Sequence, residues 1–258
     1  MSKIKKIIKS QVPDGVIYEF SYYLNYVSLI YEKNIKSLYV NTLENKNLRK
    51  IARVTSTDKQ GRHSYVKHYE KHFDDIRNSV HSILEIGVGG GKYPSKGGGS
   101  LRLWKKYFPE ADIYGVDIHD KTPIEEERIK TFVCNQSKKE DLERVAKDIG
   151  SIDIIIDDGS HINSHVIKSF KTLFKHLNKG GFYVVEDLHT AYRKEYGGAP
   201  RNNQTKSTSM GFIKSLVDGL NYKEFEKGYT PNYFDKHIES FHFYPKIAFI
   251  KKKKYSSN

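Results

Sequence analysis

The hydrophobic positions of the chain fall into a regular order from about residue 80 onward. Short apolar runs predict five β-strands, at residues 82–86, 112–116, 129–134, 152–156 and 182–185. Apolar residues at helical spacing predict helices between them, at residues 101–107, 139–149 and 165–177. Strands that are apolar almost throughout and alternate with helices are typical of a parallel sheet covered on both faces. The pattern therefore predicts a doubly wound α/β domain.

The two ends of the chain depart from this alternation. Residues 238–244 and 246–251 flank Pro245 and predict a closing antiparallel hairpin. Residues 1–80 contain an aromatic-rich stretch at 18–31 and a helical pattern at 63–78. We therefore expect a helical N-terminal appendage at 1–80 and a sheet domain at 81–258. Most of its aromatic side chains are expected to pack on the core or between copies of a homo-oligomer, and a lid over a substrate is the alternative.

Charge and composition narrow the class of protein. The 258 residues include 44 Lys and Arg against 31 Asp and Glu, a formal net charge of +13. A basic surface attracts an anionic partner, either nucleic acid or a phosphorylated small substrate. Since no RNA-binding motif is visible, the small substrate is favoured and nucleic acid is not expected. The sequence has no apolar run long enough to span a membrane, so a cytoplasmic protein is expected. A single cysteine, Cys134, excludes an intramolecular disulfide and a cysteine-based metal cluster.

The junction between the first predicted strand and the next helix carries the first chemical signal. Residues 82–91 read Ser-Ile-Leu-Glu-Ile-Gly-Val-Gly-Gly-Gly, so a buried strand opens into a glycine loop that can lie close to a ligand. We assign Glu85, Gly87 and Gly89 to a cofactor site. A dinucleotide fingerprint would need a glycine at 92, where Lys92 stands. The loop instead resembles the S-adenosylmethionine (SAM) loop of class I methyltransferases.

Polar residues after the next strands extend this cofactor site. Ligands of doubly wound sheets bind beyond the carboxyl ends of the strands. Asp117 ends the second predicted strand and is expected to bind both hydroxyls of a ribose, with helix capping as the alternative. Gln136, after the third strand, could bind an adenine edge, or simply form a turn. Ser100 follows three glycines, where backbone amides can donate to a ligand.

A polar segment before the first strand completes the cofactor half. Residues 57–65 read Thr-Asp-Lys-Gln-Gly-Arg-His-Ser-Tyr. Lys59 or Arg62 could hold a carboxylate of the ligand, and Tyr65 could donate a hydrogen bond to it. The density of polar groups just before the glycine loop favours this role over that of an ordinary surface loop.

Acidic residues follow the fourth and fifth predicted strands. The fourth ends in Asp157, Asp158, Gly, Ser and His161, and the fifth in Glu186 and Asp187. Neighbouring strands would bring these carboxylates into one crevice, where they cannot all stay ionised without a cation. Asp158, Glu186 and Asp187 are therefore predicted to hold Mg²⁺; helix capping and a salt bridge are the alternatives. His161 lies on the same rim and suits a general base, and Asp157 is assigned to the cofactor side.

These motifs together resemble a family of metal-dependent sugar O-methyltransferases, typified by mycinamicin VI 2''-O-methyltransferase and demethylmacrocin O-methyltransferase. The resemblance rests on residues 58–59 with Tyr65, on 85–89, on 100–104, on 115–118 and above all on Asp-Asp-Gly-Ser-His at 157–161. It implies a class I SAM-methyltransferase fold, SAM as methyl donor and a sugar hydroxyl as acceptor. By the same resemblance, Asp158 and His161 would be catalytic, and the three acids would hold Mg²⁺.

The acceptor is the least defined part of this expectation. The Lys-rich chain also resembles capsule-locus enzymes that methylate GDP-heptoses, and a nucleotide sugar would suit the basic charge. The expected function is therefore O-methylation of a nucleotide-activated sugar in capsule or polysaccharide biosynthesis. The alternatives are a macrolide-type glycoside, another small molecule or RNA as acceptor, and a SAM-binding protein without catalysis.

Overall fold

The computed structural model describes residues 47–61 and 63–254. Arg62 and the aromatic stretch at 18–31 lie outside the described residues, as do the assignments made for them. A seven-stranded sheet forms the centre of the described chain, in the order β3-β2-β1-β4-β5-β7-β6. The strands are β1 Ser82–Ile86, β2 Asp112–Asp117, β3 Ile129–Val133, β4 Ile152–Asp157, β5 Leu177–Val185, β6 Ile238–Tyr244 and β7 Ile247–Lys252.

The strand directions confirm the predicted fold class. Strands β1 to β5 are parallel, and β1 lies between β2 and β4. β7 pairs antiparallel with both β5 and β6, which makes the closing hairpin. The predicted fifth strand began too late, because β5 starts at Leu177, which pairs with Ile152. Polar residues and glycines at 178–181 hide this first part of β5 from a hydrophobicity pattern.

Helices cover both faces of the sheet. They are α1 Leu48–Val54, α2 Val66–Phe73, α3 Gly99–Tyr107, α4 Lys139–Ile149, α5 Asn163–Leu173, α6 Ser209–Ser215 and α7 Tyr233–His237. Successive strand residues point to opposite faces, so each strand supplies two cores. Ile83 packs in the core under α2 and α3 with Trp104, while Leu84 packs in the core under α5 with Phe170. In the described parts of the chain, no helix is both long enough and apolar enough to cross a bilayer.

Residues 47–80 belong to the same compact unit as the sheet, which extends from Asn47. Tyr69 and Phe73 of α2 are fully buried, and the Tyr69 ring lies 4.8 Å from that of Trp104 in α3. Burying an aromatic side chain of this size stabilises a fold by about 1.5–3 kcal/mol. Residues 47–80 thus pack with the sheet. The division of the chain into residues 1–80 and 81–258, and the appendage or lid role of the first part, stay predictions.

Candidate functional site

A cleft of about 810 Å³ opens at the carboxyl ends of the parallel strands. This is the edge at which doubly wound sheets bind ligands. Eight of the residues assigned from the sequence line it: Gly87, Gly89, Ser100, Asp117, Gln136, Asp158, His161 and Asp187. The structure thus brings most of the residues predicted to bind SAM, and most of those predicted to hold Mg²⁺, to one cavity.

Gly87 joins the two sides of the cleft. It follows β1 with φ +91°, and an ideal Cβ built there would lie 2.2 Å from the backbone oxygen of Asp158. A side chain at 87 would therefore collide with the segment that follows β4, in a backbone conformation that L-residues rarely adopt. Glycine is required here because the glycine loop and the Asp158 segment touch through their backbones.

Asp117 lies on the side of the cleft that the glycine loop forms. Its Oδ2 accepts a hydrogen bond from Val88 N at 3.3 Å, and its Oδ1 accepts from His119 N at 2.9 Å. These bonds fix the carboxylate between the glycine loop and the end of β2. Each oxygen keeps a further lone pair for a ligand, so the geometry is compatible with the predicted ribose contact.

Gln136, which lines the cleft, is hydrogen-bonded to Asp157, which is buried outside the lining. Gln136 Nε2 donates to Asp157 Oδ1 at 2.7 Å and to Ser169 Oγ at 2.9 Å, and Gln136 Oε1 accepts from Ser160 N at 3.0 Å. Burial raises the pKa of Asp157 to about 7, although hydrogen bonds from Ser169 and Gln136 oppose the rise. The amide of Gln136 is engaged within the chain, and its contact with an adenine stays a prediction.

Lys59 lies behind the cleft and not in its lining. It is 1 % exposed, and its Nζ is 2.7 Å from Asp158 Oδ2, 2.7 Å from Glu186 Oε1 and 3.1 Å from Glu85 Oε1. Glu85 lies near the end of β1, and Asp158 and Glu186 directly follow β4 and β5, so one ammonium joins three neighbouring strands. The carboxylates that Lys59 holds are those of the chain itself, which differs from the donor contact expected from the sequence.

The chemistry of this acidic cluster is set by its burial. Burial alone would lower the pKa of Lys59, but Asp158, Glu186 and Glu85 outweigh it and raise that pKa well above its usual value. Burial, and then the charge of Asp158, raise the pKa of Glu186. Glu85 is fully buried too; its Oε2 accepts from Trp104 Nε1 at 3.1 Å, so it supports the cleft from behind.

Asp187 is surrounded by hydrogen-bond donors and imidazoles. Tyr65 donates to its Oδ1 at 2.5 Å, which places the predicted donor-binding Tyr65 on the acidic side. Three histidine nitrogens also lie near its carboxylate, those of His63 at 3.4 Å, His161 at 3.7 Å and His189 at 3.9 Å. Burial acts to raise the pKa of Asp187, but the Tyr65 hydrogen bond and these histidines lower it overall.

Two of these histidines were not assigned from the sequence. His63 lies in the polar segment before α2, and His189 follows Asp187 by two residues. The one available signal was their proximity in sequence to Tyr65 and Asp187, which does not give the side-chain direction. Tyr69 was likewise missed as a partner: its hydroxyl donates to Glu186 Oε1.

The acids and His161 provide a donor set that fits a divalent cation. Asp158, His161 and Asp187 each offer one ligand atom, and these atoms all lie within 4.8 Å of one another. Carboxylate oxygens suit a hard cation such as Mg²⁺. Glu186, predicted from the sequence as a third ligand, is not part of this group; it is buried, and its Oε1 accepts from Lys59 and Tyr69. Its role as a cation ligand stays a prediction. The cluster of Glu85, Asp158 and Glu186 holds three carboxyl groups against one ammonium, so it attracts a further positive charge.

Comparison with known proteins places this geometry in context. The chain is 46% identical over 192 residues to mycinamicin VI 2''-O-methyltransferase of Micromonospora griseorubida, covering 74% of this chain and 48% of that protein. It is 48% identical over 199 residues to 8-demethyl-8-alpha-L-rhamnosyl tetracenomycin-C 2'-O-methyltransferase of Streptomyces olivaceus, covering 76% of this chain and 52% of that protein. The chain thus spans about half the length of the curated relatives it matches. No protein-family model matches it.

A solved structure supports the same relationship. MycE methyltransferase from the mycinamycin biosynthetic pathway, in complex with Mg, SAH and mycinamycin VI, superposes with a TM-score of 0.77 at 45% identity. The match covers 80% of this chain and 53% of that one. The described chain therefore has the fold of class I SAM-dependent methyltransferases, and most of its length is similar to sugar O-methyltransferases of macrolide and tetracenomycin pathways.

Proposed function

We propose that this chain transfers the methyl group of SAM to a hydroxyl of a sugar carried by a small molecule. The observation that carries the proposal is the meeting of Asp158, His161 and Asp187 at the side of a glycine-lined cleft. A site of this kind can hold a methyl donor and an acidic cation centre within one cavity. The names of the relatives add support, since they describe O-methyltransferases, one of them of a rhamnosyl compound.

The donor would lie along the glycine loop. Gly87 and Gly89 allow close approach of a ligand, and Asp117 offers free lone pairs for two ribose hydroxyls. Ser100 lies at the first turn of α3, on the same wall. SAM, when bound, supplies an electrophilic methyl group on a positively charged sulfur. The walls of the cleft fix where that methyl group points, which is the main catalytic contribution of such a fold.

Asp158 and Asp187 would hold Mg²⁺, together with the second oxygen of Glu186. A bound divalent cation supplies charge that lowers the pKa of a neighbouring hydroxyl. The chain orients these ligands by its own hydrogen bonds. Lys59 holds one oxygen each of Asp158 and Glu186, and Tyr65 holds one of Asp187. Each carboxylate is therefore fixed on one side and left with its other oxygen.

His161 is the proposed general base. Its ring lines the cleft, and its Nε2 lies 3.7 Å from Asp187 Oδ2. Asp187 orients the imidazole and stabilises the imidazolium that forms when the ring takes the proton of the sugar hydroxyl. The hydroxyl oxygen forms its new bond to the methyl carbon as the carbon–sulfur bond breaks, and the electron pair of that bond goes to sulfur.

The acceptor is more specifically a sugar on a glycosylated macrolide or polyketide. The names of the relatives favour a glycoside of this kind as the acceptor. The nucleotide-activated capsule sugar expected from the sequence rests on net charge and has no support among the comparisons. An RNA acceptor also rests on charge alone. Its binding would weaken steeply with salt, whereas binding of an uncharged glycoside would not.

The decisive experiment is a methyl-transfer assay with isotopically labelled SAM. The acceptor panel combines macrolide glycosides, rhamnosylated aromatic polyketides and nucleotide sugars, each with Mg²⁺ and with EDTA. We expect methylated product with a glycoside in the presence of Mg²⁺. Product with nucleotide sugars alone would reverse the acceptor preference. Full turnover in EDTA would remove the cation from the proposal.

Two variants separate catalysis from binding. His161→Ala should lower kcat by about 100-fold or more, as loss of a general base does, while the Kd for SAM changes little. Asp117→Ala should instead raise the Kd for SAM. If His161→Ala turns over at the wild-type rate, the general base is another residue. If wild-type protein binds SAM but methylates no acceptor, a SAM-binding role without catalysis replaces the proposal.

A further inference from the structure

A second fully buried lysine lies against the outer side of the glycine loop. Lys121 is 2 % exposed and stands four residues after Asp117, at the turn that follows β2. Its Nζ donates to the backbone oxygens of Gly91 at 2.7 Å, Tyr93 at 3.0 Å and Lys96 at 3.2 Å. One ammonium therefore gathers three carbonyls from across the loop, and the catalytic scheme above makes no use of it.

Few other contacts in the described chain hold the loop, and the side-chain hydrogen bond among them runs from Arg102 Nη1 to Gly97 O at 3.2 Å. Residues 89–97 are all exposed, so their side chains have no place in the core. Backbone bonds within the loop run from Tyr93 N to Gly90 O and from Lys96 N to Tyr93 O. At its far end Gly98 N donates to Val88 O, and Gly97 lies against the Val88 and Gly89 carbonyls. Fixing the backbone of a glycine-rich segment costs conformational entropy at every residue, so such a loop needs a strong local contact.

We infer that Lys121 is a positioning residue for the methyl donor. It holds the glycine loop in its binding conformation before the donor arrives. Gly89, Gly90 and Gly91 line the cleft. Lys121 is not part of that lining and donates a hydrogen bond to the backbone of the same segment, at Gly91 O. Because β2 ends in Asp117 and leads directly to Lys121, the ribose-binding carboxylate and the loop are fixed from one strand. A ligand that meets an ordered loop does not have to order it, which strengthens binding.

The inference rests on the proposed function, since it takes the cleft to be the SAM site. Its direct test is binding of SAM and of its product S-adenosylhomocysteine (SAH) to Lys121→Met, by calorimetry far below the melting temperature. We expect both Kd values to rise about tenfold, while kcat at saturating SAM stays within about twofold of wild type. A residue with a merely structural role would lower the Tm and leave these Kd values unchanged.

Lys92→Met is the matched control. Lys92 lies in the same loop, is exposed, and its Nζ is 6.0 Å from the Tyr93 ring. This variant removes one positive charge from the glycine loop without touching the three carbonyls that Lys121 holds, so we expect a wild-type Kd. A tenfold rise for Lys92→Met as well would mean that the net charge of the loop sets the affinity, and would overturn the role of Lys121.

Hydrogen exchange in the wild-type protein tests the same idea if Lys121→Met does not fold. The amides of Tyr93, Lys96 and Gly98 should exchange slowly in the absence of any donor. Exchange at the rate of an unstructured peptide, with protection only after SAH is added, would overturn the inference. Failure of the wild-type protein to bind SAH at all would instead overturn the proposed function, on which the inference depends.

Discussion

Two buried lysines hold the two halves of the site, and they do so with different partners. Lys59 binds three carboxylates behind the acidic side of the cleft. Lys121 binds three backbone carbonyls behind the glycine loop. Both ammonium groups are almost completely removed from water. The difference lies in whether full charges or peptide dipoles replace the lost hydration.

This difference has consequences when the lysine is removed. Carboxylates that lose a buried cation must either keep an unpaired charge in a low-dielectric site or take up a proton, and both are costly. Carbonyls that lose a donor on an exposed loop can turn toward water, and the cost is that of ordinary hydrogen bonds. The acidic half should therefore depend on its lysine for folding, and the glycine half should depend on its lysine mainly for shape.

The largest effect is expected for Lys59→Met. This variant leaves Glu85 and Glu186 buried without their counter-ion, and it should lower the free energy of unfolding by about 3–5 kcal/mol. Urea denaturation followed by circular dichroism measures the change. Lys67→Met on the exposed face of α2 is the control and should stay within about 0.5 kcal/mol of wild type. A loss below about 1 kcal/mol for Lys59→Met would contradict the expectation that the acidic half of the site depends on its lysine for folding.

A double variant tests whether the ion pair between Lys59 and Glu186 accounts for this loss of stability. Adding Glu186→Gln to Lys59→Met removes one of the unpaired charges while the amide can still accept from Tyr69. We expect the double variant to be more stable than Lys59→Met alone, with a coupling of about 1–3 kcal/mol in the double-mutant cycle. Simple additivity of the two single losses would show that the Lys59–Glu186 contact of 2.7 Å does not carry the stability.

Lys121→Met should have a smaller effect on stability. Charge-assisted hydrogen bonds are worth about 1.5–3 kcal/mol each when intact, but the freed carbonyls lie on an exposed loop and recover water. We therefore expect a loss of about 1–2 kcal/mol in the free energy of unfolding, measured in the same urea titration. A loss as large as that of Lys59→Met would mean that the kind of partner does not matter.

The smallest effect concerns a third lysine that is also held by carbonyls. Lys252 Nζ donates to the backbone oxygens of Phe174, Lys175 and Leu177. Burial, and then the neighbouring Lys179, lower the pKa of Lys252 to about 8, whereas that of Lys59 is raised.

The direction of the resulting pH dependence follows from that shift. Between pH 8 and the usual lysine value the unfolded chain binds more protons at this position, so Lys252 makes the free energy of unfolding rise with pH. Relative to Lys252→Met, wild type should gain about 1 kcal/mol between pH 8 and 10, less than the full shift implies because the three carbonyls favour the charged form. Paired denaturation curves at both values measure this. A constant difference between the proteins would show an unshifted Lys252.

The sequence predicted the sheet well because its strands are apolar almost throughout. β2 and β4 were visible as short apolar runs, and their ends placed Asp117 and Asp158 at the correct edge. The start of β5 was hidden, since its first residues are polar or glycine. The position of α2 in the main unit was also hidden, because Tyr69 and Phe73 look the same whether they bury against a core or against a separate layer.

The roles of individual side chains were harder to predict for a physical reason. Lys59 meets Asp158 and Glu186 across 99 and 127 residues of chain, and no local pattern reports such contacts. A lysine in a polar segment reads as a ligand contact, and only the tertiary structure shows that it faces inward. His63 and His189 converge on Asp187 in the same way. Residue type indicated the chemistry of the site, but the direction of each side chain came from packing.

Gly87 has a consequence for how such a protein could be engineered. Its backbone lies so close to Asp158 that there is no room for even one carbon atom between them. The glycine loop after β1 and the Asp158 segment after β4 therefore fit together through their backbones. A glycine loop taken from a related methyltransferase structure would have to be exchanged together with the segment after β4, because the backbones of the two segments are in contact.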